Sequence, residues 1–286
     1  LVLADQAGRV VSQVIQRTEA HLGLEAVLTN LYAGIRLVLQ QAGETSAMAD
    51  TEDIRGLLQA LRQQGKMVIG LGIGVAGVVS QSDAVVQEAP NLDWRDVPLR
   101  DLVAARTGLP VWLENDTNAA ALGEFWYGAG RETMNMVYLG IGTGIGGGII
   151  LDGKLYRGCS GGAGEIGHLV VEPLGPACGS GHPGCLEAMV SGRAIARMAR
   201  EAAAQGQGPA LLQLAGGDLN RITGETVTLA LKENDPTALA IVSRAGAYLG
   251  MGLASVINLL NPALIVIGGG VAESLGEPLL KAAWPE

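Results

Sequence analysis

The sequence is poor in cysteine and in positive charge. Its three cysteines, Cys159, Cys178 and Cys185, cannot form an even disulfide framework. The chain opens without the basic start and apolar centre of a signal peptide, so we expect a cytoplasmic protein. A targeting segment before residue 1 is the alternative. The 19 Lys and Arg are outnumbered by 28 Asp and Glu. This acidic balance argues against nucleic-acid binding through this chain, because such binding depends largely on clustered basic residues.

Long apolar runs are also missing. Gly, Asn or charged residues interrupt every hydrophobic stretch before it reaches the roughly 20 residues that cross a bilayer, and we expect no membrane span. Hydrophobic residues nevertheless make up 48% of the chain, which suffices for two compact domains. The 43 glycines are clustered, and such clusters usually mark turns or close backbone approach.

The hydrophobic pattern predicts an α/β order that occurs twice. A hairpin over residues 1–14 precedes helices at 24–41 and 51–64, the second behind a Thr51 cap. Further strands are predicted at 67–75, 78–79, 84–86, 110–113, 134–141, 149–151, 154–156 and 263–267. Further helices are predicted at 97–107, 114–124, 191–205 and within 224–260.

Asp116 is predicted to lie where a strand ends and a helix begins. The helix macrodipole favours an ionised carboxylate there, and the open geometry lets it meet a substrate. An Asp within hydrogen-bond reach of a hydroxyl can act as general base when that hydroxyl attacks a phosphoryl group. The alternative is that Asn115 and Asp116 form an ordinary N-cap.

Residues 142–148 read GTGIGGG and are predicted to form a turn between two strands. Backbone N–H groups of such a turn can surround phosphate oxygens, and Thr143 offers a hydroxyl to phosphate or a hydrated metal. The pattern is not a dinucleotide fingerprint, because a strand rather than a helix follows. A hairpin that needs only positive φ is the alternative.

Two further groups of residues are candidates for binding. Glu165, His168 and Glu187 could build a saccharide pocket, because ionised Glu accepts strong hydrogen bonds from hydroxyls. The alternative is that each is a solvated or capping residue. His168, Cys178 and Cys185 would give zinc one nitrogen and two sulfur ligands. That set is one ligand short, so a metal-free loop with two free thiols is the alternative.

Four motifs follow one another along the chain: ENDTNAA at 114–120, GTGIGGG at 142–148, GEIGH at 164–168 and GCLE at 184–187. Together and in this order they resemble the ROK family, which includes repressors and sugar kinases. The similarity runs from residue 1 to at least residue 270. The resemblance implies an α/β protein with the actin-like ATPase (ribonuclease H-like) fold, whose two α/β domains, 1–114 and 115–286, have an interdomain cleft.

The resemblance also implies an ATP-dependent hexokinase, glucokinase-like and homodimeric, which transfers the γ-phosphoryl group to the 6-hydroxyl of an aldohexose. Asp116 would be the catalytic base, and ATP would bind with Mg2+. The hexose would be held by Asn91, Asn115, Asp116, Glu165, His168 and Glu187. ATP would be held by Gly142, Thr143, Gly144, Ile145, Gly146, Gly268, Gly269 and Gly270. Structural zinc would be held by His168, Cys178 and Cys185.

The sequence departs from the family pattern at three places. The first phosphate loop, an acidic residue followed by Gly-Gly-Thr, is expected directly before Leu1 and is absent from this sequence. Apart from these three places, the second domain is expected to stop short of the family's end. Ser180 replaces the middle cysteine of the Cys-x-Cys-Gly-x-x-Gly-Cys zinc motif, so zinc would be completed by water or His182, bound weakly, or lost. Residues 74–80 read GVAGVVS in place of Gly-x-Pro-Gly-x-x-Asp.

A sugar-sensing domain of a ROK transcriptional regulator is the alternative function. Such a regulator needs the sugar pocket but not ATP, and its basic helix-turn-helix would precede residue 1. The intact glycine turn and Asp116 favour the kinase. The sequence does not distinguish among glucose, N-acetylated hexosamines, mannose, fructose and allose as the hexose.

Overall fold

The computed structural model describes residues 1–43, 53–80 and 84–284. The chain divides into two compact units, Leu1–Ala119 and Ala120–Glu286. Each unit has its own buried apolar core.

The first unit consists of short strands covered by helices. Its elements are β1 (Val2–Ala4), β2 (Val10–Gln13), α1 (Leu24–Ala42), α2 (Ile54–Gln63), β3 (Leu71–Val75), β4 (Val78–Val79), β5 (Val86–Ala89), β6 (Trp94–Val97), α3 (Leu99–Thr107) and β7 (Val111–Asn115). Strands β1 and β2 form an antiparallel hairpin, β3 and β7 a parallel pair, and β4, β5 and β6 an antiparallel sheet. Leu57 of α2 and Val103 of α3 are fully buried in its core.

The second unit contains a four-stranded sheet and a large helical layer. Its elements are α4 (Asp116–Tyr127), which begins in the first unit, β8 (Met136–Ile141), β9 (Ile145–Leu151), β10 (Lys154–Tyr156), α5 (Leu186–Val190), α6 (Gly192–Ala204), α7 (Pro209–Leu214), α8 (Gly224–Lys232), α9 (Pro236–Leu260), β11 (Leu264–Gly268) and α10 (Gly270–Ala283). The sheet order is β10-β9-β8-β11, with β8 and β11 parallel and the other neighbours antiparallel. Asp152 and Gly153, both at positive φ, form the predicted two-residue turn between β9 and β10.

Most predicted elements are present, but several boundaries differ and some elements were not predicted. Strand β3 begins at Leu71 rather than at residue 67, because its partner β7 begins at Val111, opposite Leu71. Strand β6, which pairs with β5, was not predicted, and neither were helices α5, α7 and α10. Helix α2 begins at Ile54 behind Asp53, whose carboxylate accepts the Gly56 N–H at 3.0 Å. The predicted cap, Thr51, lies outside the described residues.

Helix α9 contradicts the expectation about apolar length. Within the described part of the chain it is the one helix long and apolar enough to cross a bilayer. Its most apolar window is 44% buried inside the protein, and it packs against α10, α5 and α6. A core helix meets the same criteria of length and hydropathy, so these contacts account for its composition.

Candidate active site

Asp116 is the first residue of α4 and directly follows β7. Its side chain is exposed, and its Oδ1 accepts the N–H of Thr117 at 3.0 Å. The strand-to-helix junction is therefore as predicted, with the carboxylate at the positive end of the helix dipole.

Asn115 provides the N-cap of α4. Its Oδ1 accepts the backbone N–H groups of Thr117 at 3.0 Å and Asn118 at 3.1 Å, and the Thr117 hydroxyl at 2.6 Å. Its Nδ2 donates to the carbonyl of Gly77 at 3.1 Å. The capping alternative considered for the Asn-Asp pair thus applies to Asn115, whose bonds fix the turn that presents Asp116.

Asp116 is one of the residues that line a cavity of about 380 Å³ in the first unit. Gly74 at the end of β3 lines it too, and a Cβ there would lie only 3.3 Å from the Cα of Asp116. Trp94 is another lining residue, and its buried indole N–H has no hydrogen-bond partner among the described residues. Asn91 is exposed on the 3-10 turn Pro90–Leu92, whose Leu92 lines the cavity.

The predicted glycine turn is shorter than expected. Strand β9 begins at Ile145, so Ile145 and Gly146 pair with β8, and only residues 142–144 form the turn. The Gly142 N–H donates to the carbonyl of Gly144 at 2.9 Å, which closes the turn. The prediction extended the turn too far, because a run of glycines in the sequence does not reveal whether its backbone pairs as a strand.

Glu187 holds this turn in place. Its Oε2 accepts the Ile145 N–H at 3.0 Å. A Cβ on Gly144 would lie 2.5 Å from the same oxygen, so the carboxylate occupies the space that a side chain at Gly144 would need. The sequence associated Glu187 with sugar, whereas its contacts in the structure are with the turn.

A second cavity, of about 410 Å³, is lined by the first residues of three helices. These are Gly192 of α6, Gly224 of α8 and Gly270 of α10, and the Gly192 N–H also donates to the carbonyl of Gly142 at 2.9 Å. Helix N-termini have unpaired N–H groups and partial positive charge, which together favour anions. The cavity therefore lies beside the glycine turn, with three helix N-termini among its lining. Its other lining residues are Ile195, Glu225, Thr228, Leu229, Lys232, Val271, Ser274 and Leu275.

Sequence reasoning named residues 268–270 but missed Gly192 and Gly224. Gly268 ends β11, and Gly269, at φ 92°, lies so close to β8 that a Cβ would be 2.6 Å from the carbonyl of Ile141. The missed residues had a local signal, because Ser191 and Thr223 are helix-capping residues directly before a glycine.

The loop of Glu165 and His168 lies directly on β9. A Cβ on Gly147 would be 2.6 Å from the carbonyl of Gly164, and one on Gly164 would be 2.5 Å from that of Gly147. Glu165 is exposed, with its Oε2 3.8 Å from the Nε2 of His168. These two side chains are together, as the sequence predicted.

His168 also faces a cluster of sulfur and nitrogen atoms. The Sγ of Cys178 lies 4.0 Å from the Nδ1 of His168 and 4.0 Å from the Nδ1 of His182. Burial opposes ionisation of Cys178, but hydrogen bonds from Ser180, Cys185 and the backbone lower its pKa to about 7. Burial, together with the neighbouring Cys178, raises the pKa of Cys185 to about 11.

This donor set fits zinc. Tetrahedral zinc with bonds of about 2.0–2.1 Å to nitrogen and 2.3 Å to sulfur places its ligand atoms roughly 3.5 Å apart. The ligand atoms of His168, Cys178 and His182 all lie within 4.8 Å of one another. Small side-chain shifts would therefore suffice to bring them onto one ion.

Comparisons with known proteins identify the family of this chain. Residues 36–282 match the ROK family. A glucokinase of Halalkalibacterium halodurans is 41% identical over 238 residues, which cover 83% of this chain and 71% of that protein. A xylose repressor of Caldicellulosiruptor bescii is 36% identical over 219 residues, which cover 77% of this chain and 54% of the repressor.

A solved structure is similar throughout the fold. It is a ROK family glucokinase from Streptomyces griseus in complex with glucose and AMPPNP, and it is 36% identical to this chain. The TM-score is 0.80, and the match covers 99% of this chain and 82% of that one.

Proposed function

Since this chain belongs to the ROK family and has its actin-like ATPase fold, we propose that it is an ATP-dependent, glucokinase-like hexose kinase. It transfers the γ-phosphoryl group of ATP to the 6-hydroxyl of an aldohexose. One observation carries this proposal: a glycine turn joined to a 410 Å³ cavity that three helix N-termini line. A polyphosphate nucleotide fits such a site, and a sugar sensor does not need it.

The phosphates of ATP are bound by residues 142–144, and the adenosine lies in the cavity beside Gly270. Thr143 is exposed on the turn, where its hydroxyl can reach phosphate or the hydration shell of a metal. Mg2+ bound with ATP supplies positive charge that offsets the charge of the phosphates during transfer. Glu187 acts on this step indirectly, because it fixes the turn through Ile145.

Asp116 takes the proton of the attacking hydroxyl. Its exposed carboxylate lines the cavity of the first unit, and Asn115 keeps the supporting turn in place. In-line transfer requires the hydroxyl to be oriented and deprotonated as it attacks, and both are roles of a general base at hydrogen-bond distance. Sugar hydroxyls are held by Asn91, Asn115, Asp116, Glu165 and His168, whereas Glu187 supports the glycine turn.

The assignment of Glu187 can be tested through its variant Glu187→Ala. Loss of the bond to the Ile145 N–H loosens the phosphate turn, so we expect the KM for ATP to rise about tenfold, the effect of losing one hydrogen bond to a charged group. The KM for sugar should change less. Steady-state kinetics with each substrate varied in turn measures both constants, and a selective rise in the KM for sugar would return Glu187 to the sugar pocket.

A sugar-sensing domain of a transcriptional regulator is the second candidate. The 36% identity to a xylose repressor favours it. Sugar binding without phosphoryl transfer would be its signature.

We also propose a structural zinc ion at His168, Cys178 and Cys185, a cytoplasmic location and a homodimer. The zinc proposal is supported by the ligand atoms of His168 and Cys178, which lie within 4.8 Å of each other and of His182. Location and dimerisation are supported by the family resemblance.

A coupled assay of ADP release tests the main proposal. The full-length protein is incubated with Mg-ATP and a panel of hexoses, and we expect ADP release that depends on one or a few of them. Calorimetry on the same samples measures sugar binding. Binding of a sugar without ADP release would favour the regulator, and the responding hexose would identify the substrate.

A further inference from the structure

The loop after the Glu165–His168 segment contains a histidine that no family motif accounts for. We infer that His182 is the fourth zinc ligand of this protein and takes the place of the cysteine that Ser180 replaces. The ligand set is then His168, Cys178, His182 and Cys185. This inference rests on the proposed zinc site and names the group that completes it.

The backbone of the loop brings His182 beside Cys178. The Cys178 N–H donates to the carbonyl of His182 at 2.9 Å, and the Gly181 N–H donates to the carbonyl of Cys178 at 3.0 Å. Gly181 has φ 86°, a backbone conformation that residues other than glycine rarely adopt. Ala177 and Pro183 form a bridge that closes the loop. The two candidate ligands therefore project from the same tight turn.

The side chains of His168 and His182 approach the same sulfur atom. Each Nδ1 lies 4.0 Å from the Sγ of Cys178, and the two imidazole rings are 4.5 Å apart between centroids. Cys185 is fully buried and close enough to Cys178 to influence the pKa of its thiol, although its own Sγ is not part of the group of three ligand atoms within 4.8 Å. Two imidazoles and two thiolates are a common tetrahedral set for structural zinc, and they leave the site with no net charge.

Ser180 is positioned to assist this site but not to complete it. Its Oγ lies 3.2 Å from the Sγ of Cys178 and 3.1 Å from the Nδ1 of His182. A neutral hydroxyl is a poor zinc ligand, but it donates well to a thiolate. We assign Ser180 the role of a hydrogen-bond donor to Cys178 once His182 binds the ion.

Glu165 orients His168 toward the metal. Its Oε2 lies 3.8 Å from the Nε2 of His168, on the side of the ring away from Cys178. A carboxylate beside one ring nitrogen favours a proton there and leaves the other nitrogen free to ligate metal. The same imidazole can thus serve the proposed zinc site through Nδ1 while Nε2 faces Glu165.

Zinc content and zinc affinity of purified variants test the inference. The protein is stripped of metal and reloaded with zinc, and affinity is measured by competition with a chromophoric chelator. We expect one zinc per chain in the natural sequence. In His182→Ala, the affinity should fall by more than the roughly 10–100-fold that loss of an outer-shell partner costs. His21→Ala, which changes an exposed histidine in the first unit, should leave it unchanged.

Two further variants separate ligand loss from misfolding. Ser180→Ala should retain most of the zinc affinity, and Ser180→Cys combined with His182→Ala should restore it through a third thiolate. Cobalt substitution provides an independent readout, because each thiolate adds charge-transfer absorption and the double variant should absorb more strongly than the natural protein. Full zinc affinity in His182→Ala would overturn the role of His182 alone. Absence of zinc binding by the natural sequence would overturn the zinc site itself, and neither result would bear on sugar phosphorylation.

Discussion

Asp116→Asn is expected to lower kcat by roughly 10²–10⁴, the usual contribution of a general base. The amide has nearly the same shape as the carboxylate but does not take a proton from the sugar hydroxyl. Its oxygen can still accept the Thr117 N–H that Asp116 accepts at 3.0 Å, so the start of α4 should be unchanged. Sugar affinity should therefore stay within a few-fold, as measured by calorimetry in the absence of ATP.

A matched control for this variant is Asp101→Asn. Asp101 is exposed in the first turn of α3, in the same unit, and its substitution removes the same charge without touching the proposed site. We expect unchanged kcat for the control. Near-normal turnover in Asp116→Asn would mean that another group removes the proton. A large loss of sugar affinity with kcat preserved would leave Asp116 a binding residue without the role of base.

Gly167→Ala is expected to destabilise the second unit by about 1–3 kcal/mol, the usual cost of overpacking. Gly167 is buried, and the added methyl group would collide with the main-chain carbonyl of Ile145 at the start of β9. A backbone carbonyl in a strand cannot rotate away as a flexible side chain can. The unfolding transition of the second unit should move down by several degrees, since 1 kcal/mol corresponds to about 2–4 °C in a unit of this size.

The same loop offers a control position for this prediction. Gly162 is exposed, and its nearest neighbour is the Oγ of Ser160, 3.9 Å from where a Cβ would lie. Gly162→Ala should therefore leave the transition temperature within about a degree or raise it slightly, because alanine restricts the unfolded chain. Thermal unfolding followed by circular dichroism compares the two. Equal stability of both alanine variants would contradict the tight packing of Gly167 on β9.

The order of helices and strands was largely predictable, because the spacing of apolar residues along the chain follows the buried face of each helix or strand. Helix α1, for example, has its buried residues on one face, and the predicted range 24–41 differs from Leu24–Ala42 by one residue. Boundaries that depend on a partner were not predictable. Strand β3 begins only where β7 is available to pair with it, and nothing in the local sequence near residue 67 reports where β7 starts.

The candidate site was predictable where one residue carries both a chemical type and a local position. Asp116 at a strand-to-helix junction is such a case, as is the pair of Glu165 and His168. Contacts across the fold were not predictable. Glu187 bonds to Ile145, 42 residues away in the chain, so only the folded structure reveals that this carboxylate supports the glycine turn. The helices that begin at Gly192 and Gly224 were predicted, but their meeting with Gly270 at one cavity was not.

The mutual contact of Gly147 and Gly164 limits how the specificity of this protein can be redesigned. Any other amino acid at either position introduces a Cβ that meets the carbonyl of the other glycine at 2.5–2.6 Å. If a mutant library aimed at new sugars randomised these two codons, most of its variants at those positions would therefore fail to fold. Codons 162 and 165 are better choices, because Gly162 has free space and Glu165 is exposed.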